Sequence, residues 1–252
     1  MIYCVSDIHG CLDCLMDVLN QAGFNEDKDQ LYILGDIVDR GCQIWETYEW
    51  VKKRIGKSVF MTLGNHEDGI INDVFVMKGS RDTDDGIDSK YADYYKTHLF
   101  NNDIYGTILS LMKQGHSLDE LVHMCDFFDS LPLYYEVDAG GRKYTLVHAF
   151  CEDDVSRTNR TDAIWRRDFA ETTYLLRKGK NIIYGHTPTP AYTGCDEVEC
   201  VMTKDGLSKK INIDCGCVYG GKLALIRLDD EEVWYAKLAD AGSKWERGKK
   251  DD

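Results

Sequence analysis

The sequence has a shortage of positive charge. Its 252 residues include 30 Lys and Arg against 44 Asp and Glu, which gives a formal net charge of −14. Proteins that bind nucleic acid or anionic membranes use cationic side chains to displace the counterions of phosphate groups. The deficit therefore argues against both of these partners. It also implies that a site for an anionic substrate has to provide its own positive charge.

Long apolar segments are missing as well. No apolar run reaches about 18 residues, the length that a membrane-spanning helix requires. The first residues, Met1 to Asp7, contain neither the basic region nor the apolar stretch of a secretory signal. We therefore expect a cytoplasmic protein whose ten cysteines are free thiols. Hydrophobic residues at 43% and aromatic residues at 11% are typical of a folded globular chain.

A second C-x-x-C pair is also absent. Cys11 and Cys14 have the spacing of a redox pair, and Cys215 with Cys217 could complete a zinc site of four thiolates. Structural zinc sites usually carry two such closely spaced pairs, and only one is present here. We therefore favour the interpretation that these cysteines are small buried apolar side chains.

What the sequence does contain is a series of short apolar runs, each followed at once by a polar segment. Helical patterns over residues 11–22 and 43–54 lie between them, and this alternation predicts βαβ units in a layered α/β fold. Ligands of such sheets collect beyond the carboxyl ends of the strands, where all of these polar segments fall. The runs occupy residues 2–5, 31–34, 59–63, 144–147 and 182–184.

The remaining segments complete a single predicted domain, since we find neither a repeat nor a linker. Residues 68–131 are polar and helical in pattern, and we interpret them as an insertion. Within it, residues 82–93 resemble a calcium loop, but the glycine comes one place early and Asp93 stands where Glu is usual. A solvated loop is therefore preferred. We expect residues 239–252 to be a frayed tail. Four apolar runs predict a second sheet: 198–202, 211–213, 223–228 and 233–236.

The polar segments at the strand ends contain carboxylate, imidazole and amide side chains but no thiolate. This donor set suits Mn, Fe or Zn better than a closed structural zinc site. Two divalent ions would also supply the positive charge that an anionic phosphate needs. The candidate residues are Asp7, His9, Asp36, Asp39, Asn65, His66, His148 and His186.

Any one of these segments alone is weak evidence. Gly64-Asn-His-Glu67 also suits a strand-to-helix turn with an Asn cap, and a lone His148 in an apolar strand is commonly a core histidine. Five such segments in order, each after a predicted strand, make coincidence a poor explanation.

Together the segments resemble the calcineurin-like metallophosphoesterase superfamily and, more narrowly, the phosphoprotein phosphatase family in its small bacterial and phage branch. The resemblance extends to residues 213–221, near the end of the chain. It implies a layered α-β-β-α sandwich of two mixed sheets flanked by helices, with a catalytic domain over residues 1–238. The motifs are Asp7-Ile-His9-Gly10, Gly35-Asp-Ile-Val-Asp-Arg-Gly41, Gly64-Asn-His-Glu67, His148 and Gly185-His186.

The resemblance also implies two divalent metal ions, for which we expect Mn²⁺, with Fe, Zn or Ni as alternatives. Asp36 would bridge the two ions. The ligands of the first ion would be Asp7, His9 and Asp36, and those of the second Asp36, Asn65, His148 and His186.

The same resemblance assigns roles to the residues beside the metals. His66 would be the general acid toward the leaving oxygen, oriented by Asp39. Arg40 and Asn65 would contact the substrate phosphate. A second arginine is open, because Trp165-Arg166-Arg167 resembles a Trp-x-Arg element that selects Arg167, while Arg166 is adjacent.

The implied activity is phosphomonoester hydrolysis by direct attack of metal-bound water, most simply on phosphoserine or phosphothreonine of a protein. The alternative is symmetrical hydrolysis of diadenosine tetraphosphate, which close relatives on the same fold carry out. Those relatives often lack the aspartate at the position of Asp39 and have Gly-Asn-His-Asp where this chain has Glu67. Both residues therefore favour a protein phosphatase. A nuclease is disfavoured by charge, and an inactive metal-binding interaction module by the complete ligand set. We expect a monomer.

Overall fold

The computed structural model describes residues 1–82, 104–171, 179–204 and 206–238. The predicted loop from residue 83 onward and the predicted tail from residue 239 lie outside these ranges. Among the described residues, no helix is both long enough and apolar enough to cross a membrane.

Ten strands within the described residues form two five-stranded mixed sheets. They are β1 (Ile2–Val5), β2 (Gln30–Ile33), β3 (Val59–Met61), β4 (Tyr134–Ala139), β5 (Arg142–Val147), β6 (Asn181–Tyr184), β7 (Glu199–Met202), β8 (Lys209–Asn212), β9 (Leu223–Arg227) and β10 (Val233–Ala236). The first sheet has the order β10-β9-β1-β2-β3 and the second the order β4-β5-β6-β8-β7. The strands that precede the polar segments run parallel, β1 to β2 to β3 and β5 to β6.

Helices connect these strands. They are α1 (Leu12–Gln21), α2 (Ile44–Lys52), α3 (Asn65–Asp82), α4 (Ile104–Lys113), α5 (Leu118–Asp129), α6 (Arg160–Trp165), α7 (Asp168–Glu171) and α8 (Pro190–Thr193). Helix α1 packs on β9 and β10 and against α2, while α3 packs against α4 and α5. The described part of the predicted insertion thus consists of α3, α4 and α5, and its bounds as a domain feature remain a prediction.

The alternation of side chains along each strand separates two cores. Cys4 of β1 belongs to a cluster formed by both sheets, together with Leu146 of β5 and Ile183 of β6. Its neighbour Val5 points the other way, into a larger cluster that includes residues of α1 such as Leu15. Successive strand residues face opposite sides of a sheet. The sheets therefore pack face to face with helices outside, which confirms the predicted α-β-β-α sandwich.

One part of the predicted topology is wrong. We expected all four apolar runs after residue 195 to belong to a second sheet, but only β7 and β8 do. Strands β9 and β10 extend the first sheet, since Cys4 of β1 pairs antiparallel with Ile226 of β9. Apolar patterning identifies a strand, but it does not identify the strand's partner, which long-range packing selects.

Candidate metal centre

The predicted residues meet at the carboxyl ends of β1, β2, β3, β5 and β6. One pocket is lined by eight of them: Asp7, His9, Asp36, Arg40, Asn65, His66, Arg167 and His186. Asp39 and His148 lie directly behind its wall with no exposed surface. The edge of the two sheets therefore brings together every residue that the sequence predicted for the site.

The backbone at this edge is strained. Seven non-glycine residues of the described chain have a positive φ, a region that L-amino acids rarely occupy. Six of the seven are predicted site residues: Asp7, His9, Asp36, Asp39, Arg40 and His186. Such conformations persist only where the surrounding structure enforces them, and they concentrate at functional sites.

Asp36 occupies the centre of the site. Its Oδ1 accepts a hydrogen bond from the backbone amide of His66 at 3.0 Å. Its Oδ2 lies 3.4 Å from Nε2 of His148 and 3.8 Å from Nε2 of His9. One carboxylate oxygen thus faces imidazoles on both sides, as a bridging ligand requires.

The histidines are oriented by their backbone contacts. His9 donates from Nδ1 to the carbonyl oxygen of Val38, and His148 donates from Nδ1 to that of Leu34, both at 2.7 Å. His186 is turned the other way, with Nε2 3.2 Å from the carbonyl oxygen of Trp165. An imidazole that donates from one ring nitrogen to a carbonyl presents the lone pair of the other nitrogen. All three rings therefore turn a lone-pair nitrogen toward the centre of the site, where His148 Nε2 lies 3.2 Å from His186 Nδ1 and His9 Nε2 contacts Arg40 Nη1.

These donors form two groups, and within each group the ligand atoms lie within 4.8 Å of one another. Asp36 belongs to both groups. The second group contains Asp36, His148 and His186, and Asn65 Oδ1 lies 2.8 Å from His186 Nδ1. The first contains His9, Asp36 and His66. Asp7, predicted as a ligand of the first ion, lines the same pocket, and its Oδ2 accepts hydrogen bonds from Ser6 Oγ and from the His186 amide.

The pKa values of the buried carboxylates and imidazoles at this site are shifted from their usual ranges. Burial raises the pKa of Asp36 well above its usual range, and the carboxylate of Asp7 raises it further. Burial lowers the pKa of His9 and of His186, and neighbouring basic side chains lower both further. The charge of Arg40 lowers the pKa of Asp36 but does not offset its burial, and divalent cations would supply further positive charge. The oxygen and imidazole donors present therefore fit such ions.

His66 differs from the other histidines because its Nδ1 contacts a carboxylate. Nδ1 donates to Asp39 Oδ2 at 2.5 Å, and both side chains are buried. Burial raises the pKa of Asp39 to about 7. Burial lowers the pKa of His66, and the charge of Arg40 lowers it further. Both shifts oppose charge on these buried side chains. His66 Nε2 accepts a hydrogen bond from Arg40 Nη2 at 2.8 Å.

The structure distinguishes the two adjacent arginines. Arg167 lines the pocket, where its Nη1 donates to the carbonyl oxygen of His186 at 3.2 Å. Arg166 instead forms a two-bond ion pair with Asp168, at 2.7 and 3.2 Å, and lies over the ring of Phe150. Only Arg167 of the two is therefore placed to meet a ligand in the pocket.

Two further carboxylates were missed as site residues. Glu67 is fully buried and accepts hydrogen bonds from the amides of Asp36 and Ile37, both at 2.8 Å, and from that of Gly64 at 3.1 Å. It clamps the loop that carries Asp36. Asp214 lines the pocket two residues after β8, so the strand-end rule could have found it. Burial raises the pKa of Asp214, and Asp7 raises it further.

The close approach of Glu67 to the loop that carries Asp36 requires glycine at position 64. A Cβ at this position would lie 2.5 Å from the backbone nitrogen of Asp36 and 2.6 Å from Oε2 of Glu67. Real Cβ atoms do not approach other atoms so closely, so glycine is required by the close packing of two loops.

A layered α-β-β-α sandwich that gathers these oxygen and nitrogen ligands at its strand ends defines the class of metal-dependent phosphoesterases. The calcineurin-like phosphoesterase family model matches residues 1–215, and the chain belongs to that family. It is a metal-dependent phosphoester hydrolase.

Individual proteins resemble the chain along nearly its whole length. The symmetrical bis(5'-nucleosyl)-tetraphosphatase of Psychromonas ingrahamii is 26% identical, over 92% of this chain and 95% of that protein. The asymmetrical bis(5'-nucleosyl)-tetraphosphatase PrpE of Halalkalibacterium halodurans is 23% identical, over 90% of both chains. A crystal structure of the cold-active protein-tyrosine phosphatase of a psychrophilic Shewanella species superposes with a TM-score of 0.54 and 15% identity, over 93% of this chain and 79% of that one. The last similarity shows the shared fold alone.

Proposed function

We propose that this chain hydrolyses dinucleoside tetraphosphates by cleaving a phosphoanhydride bond of the polyphosphate. The observation that carries the proposal is the end-to-end similarity to bis(5'-nucleosyl)-tetraphosphatases, which spans at least 90% of both chains in each case. The motif positions Asp39 and Glu67 favoured a protein phosphatase in the sequence, and the relatives favour the dinucleotide alternative instead.

In this proposal the strand-end residues would hold two divalent cations, and Asp36 would belong to both groups of donors. The ligands are those predicted from the sequence: Asp7, His9, Asp36, Asn65, His148 and His186. When bound, divalent cations supply Lewis acidity toward the phosphate oxygens and lower the pKa of a coordinated water. We expect Mn²⁺, since imidazole together with carboxylate and amide oxygen is a donor set that it accepts.

The remaining residues act on the phosphate itself. Arg40 and Arg167 line the pocket from different elements, and their planar guanidinium groups bind phosphate oxygens and fix the phosphorus in place. Asn65 also lines the pocket beside them. His66 donates a proton to the leaving oxygen, and Asp39, 2.5 Å from its Nδ1, keeps the ring in the orientation that presents Nε2 to the pocket.

Dephosphorylation of phosphoserine or phosphothreonine is the second candidate. The specific observation in its favour is the buried pair of Asp39 and His66, because the sequence pattern that contains this aspartate is typical of protein phosphatases. The chemistry at phosphorus is the same for both candidates, so only the substrate separates them.

A direct comparison of substrates tests the proposal. The protein, loaded with Mn²⁺, Fe²⁺, Zn²⁺ or Ni²⁺ in separate reactions, receives diadenosine tetraphosphate or a phosphothreonine peptide. We expect kcat/KM to favour the dinucleotide by at least about tenfold, which corresponds to about 1.4 kcal/mol. Anion-exchange chromatography then identifies the products, two ADP for symmetrical cleavage or ATP with AMP for asymmetrical cleavage. A preference for the peptide would overturn the proposal, and His66→Asn is the control for contaminating activity.

A further inference from the structure

A second and larger depression opens directly beside the metal pocket. It has a volume of about 870 Å³, and we call it the side groove. Pro188, Gly216 and Tyr219 line both the metal pocket and the side groove. A ligand can therefore extend from one into the other without a break. Its volume lies within the roughly 300–1,000 Å³ that is usual for small-molecule sites.

The floor of the side groove carries few side chains. Gly194, Gly216, Gly220 and Gly221 line it, and the first three have positive φ angles between 71° and 93°. Because glycine has no Cβ, such turns leave backbone surface accessible to a flat ligand. A planar ring can therefore approach this surface closely.

Tyr219 stands where the pocket and the groove join. It ends a short 3-10 turn, Cys217–Tyr219, and 59% of its surface is exposed, which is the largest exposed fraction among the described large hydrophobic residues. The guanidinium of Arg40 lies 5.1 Å from the centre of its ring. An aromatic ring in such a position offers a stacking surface to a nucleobase next to the phosphate site.

The metal pocket and the side groove differ in the charged residues that line them. The metal pocket contains Arg40 and Arg167, which attract phosphate, beside the carboxylates of Asp7, Asp36 and Asp214, whereas the charged residues that line the side groove are Asp196 and Glu197. Lys222 holds both carboxylates in place, at 3.0 and 3.2 Å. Carboxylates offer no hydrogen-bond donor to a phosphate oxygen, but they accept hydrogen bonds from hydroxyl groups, such as those of a ribose. The side groove thus suits an uncharged, hydroxyl-bearing, planar group rather than a phosphate.

We propose that the side groove binds a nucleoside of the substrate, with its base against Tyr219 and its ribose hydroxyls toward Asp196 and Glu197. This inference rests on the proposed dinucleoside tetraphosphatase activity and deepens it. The polyphosphate occupies the metal pocket, and the nucleoside attached to it lies in the groove. Because stacking tolerates any base, diguanosine and diadenosine tetraphosphates bind comparably.

Filling the groove tests this assignment. Ala191 lines it and is exposed, so Ala191→Trp occupies the space of the nucleoside without entering the core, and Ala191→Ser is the matched control. We expect Ala191→Trp to raise KM for diadenosine tetraphosphate at least about tenfold, and to leave kcat/KM for p-nitrophenyl phosphate, which has no nucleoside, within about twofold. An unchanged KM in a variant that keeps this activity would overturn the assignment.

A second pair of variants covers the case in which Ala191→Trp does not fold. Tyr219→Leu removes the ring and should raise KM for the dinucleotide roughly tenfold, while Tyr219→Phe, which retains the stacking surface, should not. Equal KM values for the two variants would contradict the proposed stacking.

Binding of adenosine, measured by equilibrium dialysis, separates the two proposals. Wild-type protein and Ala191→Ser should bind adenosine, and Ala191→Trp should bind it at least about tenfold more weakly. Failure of wild type to hydrolyse any dinucleoside tetraphosphate would overturn the proposed function. Hydrolysis without adenosine binding, or with binding that Ala191→Trp does not weaken, would overturn the groove assignment alone.

Discussion

Replacing Asp39 by Asn tests how His66 acts. Asp39 is fully buried, and its Oδ2 accepts the 2.5 Å hydrogen bond from His66 Nδ1. Asn has nearly the same shape and keeps one acceptor oxygen, but it removes the negative charge that stabilises a protonated imidazole. If His66 delivers a proton to the leaving oxygen, Asp39→Asn should slow turnover while the fold and the metal ligands remain in place.

The size of the effect follows from the type of hydrogen bond that changes. A hydrogen bond to a charged group contributes about 1.5–3 kcal/mol, and a neutral one about 1 kcal/mol. The difference of about 0.5–2 kcal/mol lowers kcat roughly 2- to 30-fold at 1.36 kcal/mol per factor of ten. An amide that turns its NH2 group toward His66 would also select the wrong imidazole tautomer, so this range is a lower bound.

The Tm of Asp39→Asn, unlike its kcat, should not fall. Burial raises the pKa of Asp39 to about 7, above its value in the unfolded chain. A carboxyl group with a raised pKa costs stability as the pH rises from about 4 toward that value, because the folded state opposes its ionisation. Asp39→Asn should therefore leave Tm of the metal-free protein at neutral pH unchanged or raised, which distinguishes lost catalysis from unfolding.

Two aryl phosphates provide the assay. p-Nitrophenolate leaves readily without a proton, whereas phenolate depends on one, so the loss of kcat in Asp39→Asn should be larger for phenyl phosphate than for p-nitrophenyl phosphate. Asp138→Asn, a neutralisation of an exposed carboxylate on the β4–β5 hairpin, is the matched control. An equal loss for both substrates would refute the role of the pair in protonating the leaving group.

Three further predictions concern the site and the sandwich. Chelation should abolish turnover and lower Tm, and Mn²⁺ should restore both, because a cation at 100 times its Kd stabilises the folded state by about 2.7 kcal/mol. In Asp36→Asn the rise in Tm with Mn²⁺ should be smaller than in wild type. An equal rise would contradict the role of Asp36 as a shared ligand. Gly64→Ala should destabilise the protein by about 1–3 kcal/mol and remove most activity, since the new Cβ would lie 2.6 Å from Oε2 of Glu67; wild-type urea unfolding and turnover would refute the close packing. Burial alone would raise the pKa of Glu231, but contacts with Lys209, Tyr144 and Arg142 together outweigh it and the net pKa is lowered. The carboxylate therefore contributes stability above its unfolded pKa, and this stability is lost as the pH falls. Glu231→Gln should therefore lower the free energy of unfolding by about 1 kcal/mol at pH 7 and by less in acid, and an equal loss at both pH values would contradict the pairing.

The candidate residues of the centre could be predicted because they lie in short segments directly after strands. Each predicted ligand follows a buried strand within a few residues, and carboxyl ends of parallel strands meet at one edge, so Asp7 and Asp36 had to converge once β1 and β2 paired. His148 follows β5 of the other sheet and reaches them through the packing of the two sheets. The family model then placed the chain among calcineurin-like phosphoesterases. Glu67 was visible in the same motif, but its function is to accept three backbone amides, and no pattern of side-chain types indicates which amides a fold leaves for it.

The substrate was harder to infer than the reaction. Asp39 and Glu67 pointed to a protein phosphatase, while the relatives that resemble the whole chain are named for dinucleoside tetraphosphates. The reason is physical: the motif residues contact the phosphate, which both substrate classes share. Discrimination depends on surfaces such as the side groove, whose residues Pro188, Asp196 and Tyr219 come from separate loops and have no common sequence signature.

The sequence by itself therefore determined the class of fold and, through its motifs, the family of phosphoesterases, because short apolar runs and the polar segments that follow them are local properties of the chain. Tertiary structure alone decided which sheet receives β9 and β10, which of Arg166 and Arg167 enters the pocket, and where the side groove opens. These outcomes depend on contacts between residues far apart in the chain, such as Tyr3 of β1 with Arg227 of β9. Packing selects such partners by shape and hydrogen bonding, and neither can be deduced from the residues of one segment.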